Sequence, residues 1–131
     1  MPLLEEHFAL LRDASERRKR FAEAALMPVS NGTALVQLRR FALPPGWNTT
    51  DTDVYFIVPV GYPVARPDTF WTDGGLRLAN GGIPMSTGNN QVPGIPPNLL
   101  WFSWHPSTWN PNTDNLVTYT GMIARRFEDK R

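Results

Sequence analysis

Side-chain chemistry needs a nucleophile, a base or a metal ligand, and this chain of 131 residues is poor in all three. It has no cysteine, which removes thiolate nucleophiles, disulfides and the usual structural zinc sites together. Its 2 histidines, His7 and His105, are too few for a histidine-rich metal centre, so neither a metal nor a cofactor is expected. The loop segment Pro84-Met85-Ser86-Thr87-Gly88-Asn89-Asn90 offers two hydroxyls. A serine is a weak nucleophile until an adjacent base takes its proton. His105 is the only histidine in the loop region, and an imidazole of pKa about 6.5 suits that role. Each has a plainer reading beside this one. A serine among Gly and Asn is usually a turn residue, and a histidine between Trp104 and Pro106 can simply satisfy a buried carbonyl.

Other groups weigh toward structure. Trp101, Trp104 and Trp109 could form a platform for a sugar or peptide, but read better as a minor core that fastens a long loop to a sheet. Asp68 and Asp73 read as turn and cap residues rather than a catalytic pair. The run Arg17-Arg18-Lys19-Arg20 is, by charge alone, a solvated helix face.

The elements that must position these residues follow from patterning. Apolar content of 41% with 19% charge is that of an ordinary folded protein, and 131 residues suffice for one domain, 1–131, with its own core. A net charge of +1 gives no pull toward nucleic acid, and no apolar run reaches the roughly 18 residues of a membrane span. The acidic start, Glu5 and Glu6, is unlike a secretory signal, so a cytoplasmic protein with no membrane partner is expected.

Leu4, Phe8, Leu11, Phe21 and Ala25 lie near one face of a helix expected over 3–27. Ala34 to Ala42 and Val54 to Val58 read as strands, the second buried on both faces, and 68–72 as a third, short one. From Gly74 to about Asn110 nothing is periodic, which in a compact domain marks a functional loop, here an ordered one because of its tryptophans. A closing helix is expected over 112–128, with the stripe Leu116, Tyr119, Ile123 and Phe127 and with Asn110 as its cap. The class is α+β: helices packed on one antiparallel meander sheet.

Tyr62-Pro63-Val64-Ala65-Arg66-Pro67, followed by Phe70 and Trp71, resembles the stretch leading into the third strand of ubiquitin-conjugating enzymes, with Arg66 where the first of two prolines would stand. Leu43-Pro44-Pro45-Gly46-Trp47, Thr52-Asp53-Val54, Leu76-Arg77-Leu78-Ala79-Asn80-Gly81, Trp104-His105 and Trp109-Asn110-Pro111 extend the resemblance to the prokaryotic family E branch, from Leu43 to the C-terminus. The resemblance implies the ubiquitin-conjugating (UBC) fold, with a long ordered active-site loop before the last helix. It implies partnership with a ubiquitin-like protein and its activating enzyme, in bacterial operons whose setting suggests defence against phage. The family's cysteine position falls at Ser86 or Thr87, and Asn80 is the nearest candidate for the asparagine of its missing His-Pro-Asn motif. Carried onto this chain, the resemblance makes Ser86 the acceptor of the ubiquitin-like C-terminus as an oxyester, with His105 as base. The basic run 17–20 then becomes the docking patch for the activating enzyme. The rival expectations are a non-catalytic adaptor that binds the same partners, and a stand-alone binding module built on the tryptophan-rich loop.

Overall fold

A computed structural model describes residues 2–18, 20–29, 32–92 and 94–131. Helix α1 (Pro2–Arg18) leads into strands β1 (Glu23–Pro28), β2 (Ala34–Ala42), β3 (Asp51–Val58) and β4 (Phe70–Thr72). Two short strands, β5 (Thr87–Gly88) and β6 (Leu100–Phe102), precede helix α2 (Leu116–Glu128). The strands form one antiparallel sheet in the order β1-β2-β3-β4-β6-β5, so the expected α+β class and meander hold.

Alternation decides the layers, because neighbouring side chains of a strand point to opposite faces. Ala34, Val36 and Leu38 of β2, with Val54, Phe56 and Val58 of β3, join the main core beneath the helices. Leu35 and Tyr55 emerge on the other face, where with Trp71 they form a second cluster covered by Val92, Ile95 and Leu99. The expectation that β3 is buried on both faces is met. Its second cover is loop rather than helix, and the Trp71 indole donates to the Asn90 carbonyl at 2.8 Å to hold it there.

Three boundaries correct the sequence reading. The first helix ends at Arg18 instead of running to Met27, and Glu23–Pro28 is an edge strand on β2. Phe21 and Ala25 fit a helical stripe, but pairing with β2 won. Phe21 stacks on Phe41 with ring centroids 6.3 Å apart, and Glu23 meets Arg39 at 3.0 Å. The unpatterned stretch 74–110 contains β5 and β6, which at two and three residues are too short to show a period. Helix α2 starts at Leu116, capped by Asn115, whose carboxamide accepts from the amides of Val117 and Thr118 while Thr118 reciprocates. Asn110 builds the preceding turn instead, accepting from Asn112 and donating its own amide to Asp114.

The core closes on the last turn of α2. The Phe127 ring lies 5.6 Å from each of Phe41, Trp47 and Phe70, and 5.8 Å from Phe102. Its carbonyl accepts the Trp47 indole N–H at 2.8 Å. Phe127→Ala should cost about 3–5 kcal/mol in equilibrium urea unfolding, and Asn115→Ala about 1 kcal/mol.

All 3 tyrosines are held above the usual phenol pKa. Burial is the main cause for each. The Asp53 and Asp73 carboxylates add to it at Tyr55, and Asp68 adds to it at Tyr119. The folded chain therefore keeps phenolic protons that the unfolded chain loses above pH about 10, and stability falls as pH rises through that range. A titration at 295 nm should show the phenols of the folded protein ionising at higher pH than those of the urea-unfolded chain. A phenolate appearing with a pKa near 10 in the folded state would contradict this.

Candidate functional site

Ser86 ends the turn that enters β5. Its carbonyl accepts the Ser103 N–H at 2.8 Å, continuing the β5–β6 ladder one step past Phe102. The turn is closed by the Thr87 hydroxyl, which donates to the Pro84 carbonyl at 2.7 Å. Ser86 sits at φ 58°, a left-handed conformation that costs a non-glycine residue about 1–2 kcal/mol, and its side chain is exposed.

The tie that holds this turn comes from α2. Arg126 is 7% exposed, and its guanidinium donates to the Met85 carbonyl at 2.9 Å, to that of Asp129 at 2.8 Å and to that of Arg131 at 3.2 Å. The same guanidinium lies over the Phe102 ring, 5.1 Å from its centroid, a cation–π contact with β6. Burial lowers its pKa from that of a free guanidinium, yet an arginine stays charged throughout the working range. One buried cation thus joins the residue before Ser86, the strand beneath it and the C-terminal segment.

Between these parts lies an open cleft of about 270 Å³. Ser86, Ser103 and Trp104 form one side. Arg125, Arg126 and Arg131 form the other, with Asp129 as the only acidic side chain in its lining. Asp129 is held by Arg131 at 2.9 Å.

The other expected site residues stand elsewhere. His105 is exposed, and its Nδ1 is 3.8 Å from the Asp68 carboxylate, which also lies 3.6 Å from Arg66. It does not line the Ser86 cleft, and among the described residues no hydrogen bond joins the Ser86 hydroxyl to a base. Asn80 is exposed in the turn after Leu78, where its carboxamide accepts the Gly82 N–H at 2.8 Å. Of the basic run, Lys19 and the side chains of Arg17 and Arg18 lie outside the described residues. Arg20 reaches α2 and donates to the Thr120 hydroxyl at 3.2 Å, so it serves the packing of the N-terminal segment. Trp104 and Trp109 pack on the main core and Trp101 on the second cluster, while the Trp109 indole donates to the Pro63 carbonyl at 2.7 Å.

Sequence reasoning missed Arg125, Arg126, Asp129 and Arg131. A signal for Arg126 was present, since it lies three residues beyond Ile123 and seven beyond Tyr119, on the apolar stripe of α2. A charge on a buried stripe needs partners nearby. No such signal marks the other three.

Among the described residues no group of three or more His, Cys, Asp and Glu could hold a metal, and no helix is long and apolar enough to cross a membrane. The family model described as Prokaryotic E2 family E matches residues 19–130, and the chain belongs to that family. The matched span takes in the whole sheet and α2. Membership carries a ubiquitin-conjugating-like role in general terms. Neither the curated proteins nor the solved structures include a match.

Arg126→Met keeps much of the side-chain volume but strips three carbonyls of their donor. It should destabilise the fold by about 2 kcal/mol or more, from charged hydrogen bonds worth about 1.5–3 kcal/mol each with partial relief by water. Amide exchange at Ser103, whose partner is the Ser86 carbonyl, should rise more than at Val36 in the core. Equal changes at both amides would show that Arg126 acts on the fold as a whole and not on the turn.

Proposed function

We propose that the protein serves a bacterial ubiquitin-like transfer pathway as a non-covalent partner, binding the ubiquitin-like protein and its activating enzyme without taking the acyl group itself. The observation that carries this is the exposed Ser86 hydroxyl, which stands at one of the two positions, Ser86 or Thr87, that the resemblance gives for the cysteine and has no base in hydrogen-bond reach among the described residues. For Ser86 to accept an acyl group, its oxygen must bond the carbonyl carbon and lose its proton to a base, while the bond from that carbon to the activating enzyme breaks and the enzyme's group leaves. His105 is engaged toward Asp68 outside the cleft, and Asp129 is held by Arg131. Family membership supports the choice of partners, and the family setting supports a cytoplasmic place and a part in defence.

A second reading keeps Ser86 as an oxyester acceptor. What favours it is the set of guanidinium groups on the same cleft, since fixed positive charge stabilises the oxyanion of a tetrahedral intermediate. On that reading His105 would have to move to the cleft, and on either reading Arg17, Arg18 and Lys19 keep their part as docking patch while Arg20 is turned to α2.

Intact-mass spectrometry after incubation with activating enzyme, ubiquitin-like protein and ATP separates the two. The expected result is no mass increase, with a complex that elutes intact from size exclusion in wild type and Ser86→Ala alike. A hydroxylamine-labile gain of one ubiquitin-like unit, absent in Ser86→Ala, would establish the oxyester instead.

A further inference from the structure

The chain carries its positive charge almost wholly as arginine. Of its 13 basic residues two are lysines, Lys19 and Lys130, and eleven are arginines, although lysine is ordinarily among the commonest residues. Structure explains part of the choice. Arg126 reaches three carbonyls at once, which a lysine could not do. Four exposed arginines have no such duty. Arg39 meets Glu23 through one nitrogen at 3.0 Å, between side chains that are 55% and 62% exposed. Arg131 holds Asp129 through Nε alone, at 2.9 and 3.0 Å from its two oxygens. The side chains of Arg40 and Arg125 make no hydrogen bond or ion pair among the described residues. Arg125 sits in the last turn of α2, where the charge of a lysine would suit the helix end as well. At each of these positions an ammonium would satisfy the same structure, and at each the chain has a guanidinium.

The two cations differ in reactivity. An ammonium loses its proton with a pKa of about 10.4 and is then a nucleophilic amine, whereas a guanidinium stays protonated and has no electron pair to give. The one lysine among the described residues is also set apart. Lys130 stands between Asp129 and Arg131, which both line the Ser86 cleft, yet it does not line it. Its stem lies instead against Gly46, where a Cβ would stand 2.6 Å from the lysine Cδ.

We propose that the arginine-rich surface keeps the protein from being acylated by the activated modifier beside which it works. The inference rests on the non-covalent reading above, which brings the chain next to a ubiquitin-like C-terminus that the activating enzyme and ATP have turned into an acyl adenylate or thioester. A lysine in reach would attack that carbonyl carbon through its unprotonated amine and form an amide. The bond from the carbon to AMP or to the enzyme's sulfur would break, and the extra proton of the amine would pass to water. Arginine supplies the same charge and cannot make this attack.

The test changes Arg39, Arg40, Arg125 and Arg131 to lysine, singly and together, and incubates each variant with activating enzyme, ubiquitin-like protein and ATP. All four residues are exposed and the charge is kept, and thermal melts check each fold. The fourfold variant should gain ubiquitin-like units that wild type lacks, resistant to hydroxylamine and mapped by peptide mass spectrometry to the introduced lysines. Serum albumin in the same tube should stay unmodified. If no introduced lysine is acylated in any variant, the inference is overturned. Equal acylation of albumin also overturns it, because amines in bulk solution would then react as readily as amines on this surface. If wild type co-elutes with the ubiquitin-like protein while the introduced lysines stay unmodified, the inference fails and the non-covalent reading stands. If wild type does not bind, both fall.

Discussion

The last turn of α2 carries the contact on which most of the molecule depends. A helix ends with carbonyls that have no partner inside it. Here the Phe127 carbonyl is taken by the Trp47 indole, while the Phe127 ring fills the space between β2, β4 and β6. The order of the connecting loops follows from that bond. Trp47 bridges to Leu78, and Asn48 accepts the Arg77 N–H at 3.0 Å while its own carboxamide donates to Gly75. Two long connections without regular structure are thereby fixed to one helix end. Their many prolines and glycines are tolerated because side chains and turn amides, not a strand ladder, satisfy the backbone.

Arg126 and Phe127 are neighbours with different duties. Phe127 belongs to the core, and its removal acts on the fold. Arg126 faces the seam where the core meets the Ser86 turn, and it acts on the position of that turn. A lysine could supply the charge but not the fork that reaches three carbonyls at once. The buried guanidinium is tolerated because main-chain oxygens of Met85, Asp129 and Arg131, the nearby Asp129 carboxylate and the Phe102 face replace its water.

The fold was legible where a period was long enough to read. Strands β2 and β3 and the stripe of α2 stand close to where their patterns put them. The error over 20–27 has a clear cause: Phe21 and Ala25 satisfy a helical spacing, and only the partner strand, distant in sequence, decides otherwise. Of the candidate site residues named from the sequence, Ser86 is the one that lines the cleft. The position of Ser86 came from an ordered set of short motifs, whereas Arg125, Asp129 and Arg131 reach the cleft only because α2 ends beside β5. Proximity of that kind is set by tertiary packing and leaves no local trace in a sequence. His105 shows the converse: near in sequence to the loop's polar end, it is turned by the chain toward Asp68.

The groups around Ser86 also bear on what the cleft can do. An arginine donates hydrogen bonds and holds positive charge, but it does not take up a proton. Three arginines can therefore hold an anion, or steady one that has formed, without generating the nucleophile that would form it. A thiol in this position would need less help, because its thiolate is accessible near neutral pH. A hydroxyl is not so helped, and the one carboxylate at hand is held by Arg131.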